Sequence, residues 1–205
     1  MRLPAQEVKR QEIGSEEINN IARVMLDIVT CPSKDGRTMV GLHASQIGID
    51  KDIMVVDFTD QSLIRTKLFG RKIGVESDLK VLMNPKIIYK SSEKVAGAES
   101  CFSERSEVFG IVERPESIFM KAVLQNGKSF KQPVKGFTSR IAQHESDHGK
   151  GRRFADYIDD PNDLHRVPEF LLSVYSCVPK KVWPIHFSKK EFAVIKERAT
   201  PLPRP

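Results

Sequence analysis

GFTSRIAQHESDHG, residues 136–149, is the stretch on which the architecture turns. Phe137, Ile141, His144 and His148 recur at intervals of three and four residues, the spacing of one face of an α-helix. Four residues advance a helix by about 400°, so His144 and His148 point the same way from one apolar stripe. Two imidazoles so placed can chelate one ion through nitrogens at about 2.0–2.1 Å. Glu145 projects beside that ion without being forced to bind it. It can therefore take a proton from an attacking water and pass it to a leaving group.

Upstream of this helix the period is that of strands. SIFMKAVL (117–124) reads as a strand, and Gln125-Asn126-Gly127-Lys128 is a hairpin turn leading into a partner near 129–134. IMVVDF (53–58) has the composition of a buried strand, after a turn-rich stretch from residue 39. VLMNPKIIYK (81–90) is interrupted by Asn84-Pro85, which predicts two short extended pieces joined by a turn. Residues 59–79 are polar and basic, with Arg65, Lys67, Arg71 and Lys72, and read as a loop insertion.

Two further helices flank this region. In residues 15–29, Ile18, Ile21, Ala22, Met25, Ile28 and Val29 form one stripe, with Ser15 as N-cap, Glu16 and Glu17 at the positive end, and Cys31-Pro32 as the stop. In 188–199, Ser188 and Glu191 have capping-box spacing, and Pro201 to Pro205 cannot continue the helix. Scattered strands with few helices predict an α+β fold of small antiparallel or mixed sheets around the central helix. The domain organisation expected is a catalytic unit over 1–160 and a partly helical extension over 161–205, packed on it.

Composition narrows the classes. The chain has 205 residues, 40% apolar and 29% charged, a globular balance. It has no run of 18 apolar residues, so no membrane span is expected. Residues 1–14 lack the apolar core of a secretory signal. The net charge of +6 reads as a solvated basic surface or as one that favours anionic neighbours such as ribosomal RNA or lipid headgroups. No aromatic-rich motif accompanies it, so sequence-specific nucleic-acid recognition is not expected. Cys31, Cys101 and Cys177 are too few and scattered for a disulfide framework, leaving ligand or nucleophile as the special roles for a cysteine.

A catalytic ion held by two histidines needs a third protein ligand and an open position. A downstream His, as in metzincins, would stand where this chain has Phe154, although Gly151 is present. A downstream Glu, as in thermolysin-like proteases, would be Glu169, beside Pro168 in a segment that does not read as helix. A third option is an upstream thiolate, Cys101. A site closed by four protein ligands would be structural instead, and of His43, His165 and His186 only His43 could reach inward.

The chain carries three ordered motifs: Met39-Val40-Gly41-Leu42-His43-Ala44-Ser45-Gln46, then Glu99-Ser100-Cys101-Phe102-Ser103, then Gln143-His144-Glu145-Ser146-Asp147-His148. They resemble G-x-G-L-A-A-x-Q, E-G-C-L-S and Q-H-E-x-D-H of the peptide deformylases. The lead-in at Leu3 and Ala5 to Val8, Asn84-Pro85, Arg114-Pro115, Gly136-Phe137-x-x-Arg140 and Phe154-x-Asp156 agree, and the resemblance covers residues 1 to about 160.

The resemblance implies that Cys101, His144 and His148 hold one divalent metal, Fe2+ in the cell, with Zn2+, Ni2+ or Co2+ able to replace it. It implies Glu145 as general base and acid, and Gln46 with the Phe102 backbone N–H as donors to the oxyanion. Val40 and Gly41 would pair with an extended N-formyl-Met nascent peptide, and Phe137, Arg140 and Ile141 would line its methionine pocket, with plain core packing as the other reading of Phe137 and Ile141. Glu99 would hold a ligand from behind, and Asp147 would orient a neighbour or lie exposed. The implied reaction releases formate from the formylated amino terminus.

Four positions depart from the motifs: Met39 for Gly, His43 for Ala, Ser100 for Gly and Phe102 for Leu. All lie in the walls, and every group that would do bond chemistry is kept. His43 is expected as a buried structural histidine or an extra group near the cleft. The alternative function is a catalytically weak or silent relative that binds metal and peptide or ribosome. Such an enzyme works where translation starts on formyl-methionine, and the insertion and tail point to a mitochondrion ahead of a bacterial cytoplasm or plastid. A monomer is expected.

Overall fold

The computed structural model describes residues 3–32, 38–59, 77–101, 104, 107–168 and 183–199. Phe102, most of the basic insertion, Cys177 and the terminal Pro201 to Pro205 lie outside the described residues.

Helix α1 runs over Glu16–Thr30, and the Ser15 side chain accepts from the Ile18 N–H at its start. Its buried face, Ile18, Ala22, Met25 and Val29, matches the predicted stripe. Strands β1 (Gly41–His43), β2 (Ile53–Asp57), β3 (Leu79–Lys90), β6 (Ser117–Leu124) and β7 (Ser129–Lys135) form an antiparallel sheet in the order β1-β2-β3-β6-β7. Strands β4 (Lys94–Glu99), β5 (Val108–Pro115) and β8 (Leu164–Arg166) form a second antiparallel sheet, in the order β4-β5-β8. Helix α2 spans Gly136–Gly149.

The two-residue alternation of strands sends successive side chains to opposite faces. Ile53, Val55, Val81 and Met83 therefore pack against α1 on one face of the large sheet. Met54, Val56, Leu82, Met120 and Ala122 pack around Ala142 of α2 on the other. The other side of α2 meets the second sheet through Arg140. Every residue from Ala142 to His148 is buried, so this helix is a central one.

The turn expected at Asn84-Pro85 is not there. β3 is one strand of 12 residues whose pairing with β6 shifts register between Met83 and Lys86. Asn84 takes up the extra residue as a bulge, with φ +50 in the left-handed region that Asn tolerates. Its side chain donates to the Val8 carbonyl and accepts the Val8 N–H, both at 2.8 Å, so the bulge also pins the N-terminal segment. The hairpin after β6 closes as expected, with Gly127 at φ +79 and its N–H on the Leu124 carbonyl.

Past residue 160, β8 is the third strand of the second sheet. Helix α3 (Lys189–Ala199) follows, capped by Ser188 and Glu191 through reciprocal hydrogen bonds. Phe187, Phe192 and Ile195 pack on Val108, Phe154 and Ile158. Lys196 donates to the Ile158 carbonyl at 2.7 Å and the Ala155 carbonyl at 3.2 Å. None of the described helices is long and apolar enough to cross a membrane.

Candidate metal centre

Cys101 follows the end of β4, and α2 brings His144 and His148 to it. The possible ligand atoms of the three all lie within 4.8 Å of one another. Cys101 Sγ is 3.1 Å from His148 Nε2. Each imidazole is held from behind through its other nitrogen: His144 Nδ1 lies 3.0 Å from Glu99 Oε2, and His148 Nδ1 lies 3.1 Å from the Arg152 carbonyl. Both therefore present Nε2 inward, the arrangement that outer partners impose on metal-binding histidines. Ligands of a tetrahedral ion at 2.0–2.3 Å stand roughly 3.5 Å apart, so this donor set fits one ion with a corner left open.

The charges around the site favour a cation. Burial disfavours charge on His144, but hydrogen bonds to Cys101 and Glu99 and the nearby Glu145 outweigh it, holding the imidazole well above its ordinary range. Burial and its charged neighbour His144 push His148 well below it, which keeps that ring's lone pair available. Glu145 is buried, and its Oε2 has no hydrogen-bond partner among the described residues. Burial pushes Glu145 up to about 7, with Glu99 and Asp147 adding to the rise and His144 opposing it. A carboxyl balanced near neutrality is suited to proton transfer at the pH of the cell.

Beneath the ligands lies a charged network. The Glu99 carboxylate accepts from Arg114 Nε (2.9 Å) and Nη2 (2.8 Å), from Arg140 Nη1 (2.8 Å) and from the His144 ring. Burial alone would raise its pKa, but these donors hold it far below the usual carboxylate range. Arg114 also donates to Asp147, which accepts from the Tyr157 hydroxyl at 2.8 Å. Asp147 is thus a buried, orienting group.

The expected site residues sort into three sets. Gln46, on the short 3₁₀ turn Ala44–Ile47, directs its amide Nε2 to within 3.4 Å of Cys101 Sγ. Gly41 lies on β1, an edge strand paired only to β2 among the described strands. A Cβ on Gly41 would stand 2.7 Å from both Glu145 Oε1 and Ile141 Cγ2, so only glycine lets β1 approach the helix this closely. Val40 precedes it, half-buried, with its carbonyl engaged by the Asp57 N–H. Phe137 sits in the first turn of α2 and is 46% exposed.

Arg140 corrects the reading that it lines a pocket. Its guanidinium is spent on the Val95 and Val112 carbonyls and on Glu99, so it clamps β4 and β5 to the helix. An arginine fits this place because its fork of donors can satisfy several carbonyls at once. Phe102 lies outside the described residues. The structural part of the expectation for His43 holds, since it is fully buried and bonded to Ser45 and Asp52.

Sequence reading assigned Arg114 no role. A signal was present: in VFGIVERP, residues 108, 110, 112 and 114 share the inward parity, which puts a cation among buried positions.

The model of the polypeptide deformylase family matches residues 1–163 of this chain. Peptide deformylase of Halalkalibacterium halodurans is 38% identical over 125 residues, 60% of this chain and 62% of that protein. Peptide deformylase 1A, chloroplastic, of Solanum lycopersicum is 32% identical over 183 residues, 86% of this chain and 62% of that protein. The chain spans about three-fifths of the length of the most similar of these relatives, 62% and 61% for two bacterial ones. The class I type b peptide deformylase from Acinetobacter baumannii, solved with Met-Ala-Ser bound, superposes with a TM-score of 0.62. It is 30% identical, with 77% of this chain and 91% of that one covered. With the family model covering residues 1–163, the chain belongs to the polypeptide deformylase family.

Proposed function

We propose that this protein removes the formyl group from N-formyl-methionyl peptides, releasing formate and a free amino terminus. The observation that carries this reading is the buried Glu145 carboxylate, with one oxygen unpartnered, set beside three converging donors at Cys101, His144 and His148. A bound divalent ion supplies a Lewis acid and lowers the pKa of the attacking water. Fe2+ is the ion proposed for the cell, with Zn2+, Ni2+ or Co2+ as substitutes that thiolate and imidazole also suit.

In this scheme Glu145 takes the proton of the attacking water at a carboxylate oxygen and returns it to the leaving amine nitrogen. The Gln46 amide and the Phe102 backbone N–H stabilise the negative charge that develops on the formyl oxygen; losing one such donor costs roughly 10²–10³ in rate. Val40 and Gly41 lie along the peptide, which adds to the open edge of β1 as a further strand. Ile141 and Phe137 are proposed to meet the methionine side chain.

The decisive assay is formate release from formyl-Met peptides by ferrous-loaded protein. Turnover well above a Glu145→Ala control supports the reading, and equal rates refute it.

A ribosomal location has its own support. Lys86, Lys121 and Lys131 stand directly opposite one another across β3, β6 and β7. Like charges in such register cost stability unless an anion meets them. Lys86 is offset by Glu7 at 2.6 Å. We propose contact with ribosomal RNA through this face, tested by salt-sensitive co-sedimentation that Lys121→Glu with Lys131→Glu abolishes. A monomer acting in a mitochondrion completes the proposal, and imaging of the tagged protein tests the location.

A further inference from the structure

The turn that carries Gln46 is built by a residue the proposed chemistry does not use. His43 stands where the family motif has Ala, and it is fully buried. Its ring is engaged on both sides: Nδ1 accepts the Ser45 N–H at 3.1 Å, and Nε2 lies 3.2 Å from Asp52 Oδ1. Those partners set the tautomer, with the proton on Nε2 donated to Asp52. The His43 main-chain N–H in turn donates to Gln46 Oε1 at 2.6 Å. One residue thus closes both halves of the cap on Ala44–Ile47, its main chain holding the Gln46 oxygen and its side chain the turn's N–H.

The main-chain bond holds the Gln46 oxygen and the buried ring fixes the turn that carries it, and together they direct the amide nitrogen towards Cys101 Sγ at 3.4 Å. The base of the device is also fixed. Asp52 is anchored by its N–H on the Gln6 carbonyl and its own carbonyl on the Asn84 N–H. The ring abuts Gly149 at the end of α2, where a Cβ would stand 2.9 Å from His43 Nε2 and 2.9 Å from Asp52 Oδ1. An alanine at 43 would keep the main-chain bond and lose the rest.

We propose that His43 is a positioning residue that, through Ser45 and Asp52, aims the Gln46 amide at the oxygen that gains charge in the reaction. The inference rests on the deformylase reading. Misplacing a reacting or stabilising group by about 1 Å can cost on the order of 10² in rate, so His43→Ala is expected to lower kcat roughly tenfold to a hundredfold with KM little changed.

The test is a double-mutant cycle of His43→Ala and Gln46→Ala in the full chain loaded with cobalt. It is read by kcat and KM on a formyl-Met peptide, by cobalt affinity, and by the thiolate-to-cobalt absorption band. If His43 acts through Gln46, His43→Ala adds less than about twofold once Gln46 is Ala. It also shifts the thiolate band in the same direction as Gln46→Ala, with cobalt affinity retained. His43→Asn, which can still accept the Ser45 N–H, should restore part of kcat. Equal losses in both backgrounds, or a band moved by Gln46→Ala but not by His43→Ala, overturns the proposal. Should His43→Ala fail to fold, Asp52→Ala takes its place in the cycle with the same expected pattern. If the unmutated protein shows no turnover, the deformylase reading fails, and the band alone still decides the positioning role.

Discussion

Replacing Glu99 by Gln should destabilise the protein by about 3–5 kcal/mol, the usual cost of breaking a buried charged network by removing one partner. The side chain keeps its shape but loses its charge. Glu99 is 5% exposed, and its two oxygens accept four hydrogen bonds, two from Arg114, one from Arg140 and one from His144. An amide has one oxygen and two donor hydrogens, so at least one buried guanidinium N–H or the His144 ring would face another donor. Glu99 and Asp147 are the two buried negative charges that meet Arg114, Arg140 and the His144 imidazole, and the substitution removes one of them. Against a typical total of about 5–15 kcal/mol, the loss is large. It should lower the melting temperature by roughly 6–20 °C for a chain of this size.

Urea unfolding of the metal-free protein measures this loss directly, and competition with a zinc chelator measures the second effect. Loss of the carboxylate behind His144 should weaken metal binding by about 10–100-fold. The pH dependence gives an internal control. Glu99 is held below the ordinary carboxylate value, so its contribution is present above a pH of about 4.5 and is lost as pH falls towards its folded value. The variant should lack that part of the acid-side decline. A destabilisation under about 1 kcal/mol, with unchanged acid sensitivity, would refute the network as described.

Other substitutions probe separate links. Glu145 is pushed up to about 7 by burial, so its protonated form favours folding. In the metal-free protein, stability should fall as pH rises from about 4.5 towards 7 and then level off. Glu145→Gln should remove that slope, and a slope identical to the parent would count against the burial argument. Gly41→Ala would push a methyl to 2.7 Å from Glu145 Oε1 and Ile141 Cγ2, so β1 must withdraw from α2. Formate release should drop at least tenfold with metal content intact, measured by peptide assay and elemental analysis. Asn84→Ala removes two hydrogen bonds to Val8 and leaves a non-glycine residue at φ +50, a loss of about 2–4 kcal/mol in chemical denaturation. A neutral result there would mean that the bulge does not depend on this side chain.

Local chemistry made much of this protein legible from its sequence alone. Helical spacing placed His144, Glu145 and His148 on one helix, the Ser15 and Ser188 caps marked helix starts, and the Asn126-Gly127 pair marked the hairpin. These features depend on neighbours within four residues, so the sequence carries them directly. The three motifs carried the family.

Long-range packing decided the rest. Asn84-Pro85 looks like a break, yet β6 pairs with β3 on both sides of it, and the Val8 backbone supplies the bonds that hold the bulge. Arg140 shares a helical face with the histidines, but nothing local shows that four main-chain and side-chain acceptors from β4, β5 and Glu99 await its guanidinium. Which carboxylate stands behind His144, and that Arg114 joins it to Asp147, follows only when two sheets close on α2. Hydrogen bonds between residues 15 to 76 apart in the chain leave no periodicity to read, because their partners are chosen by the packed fold.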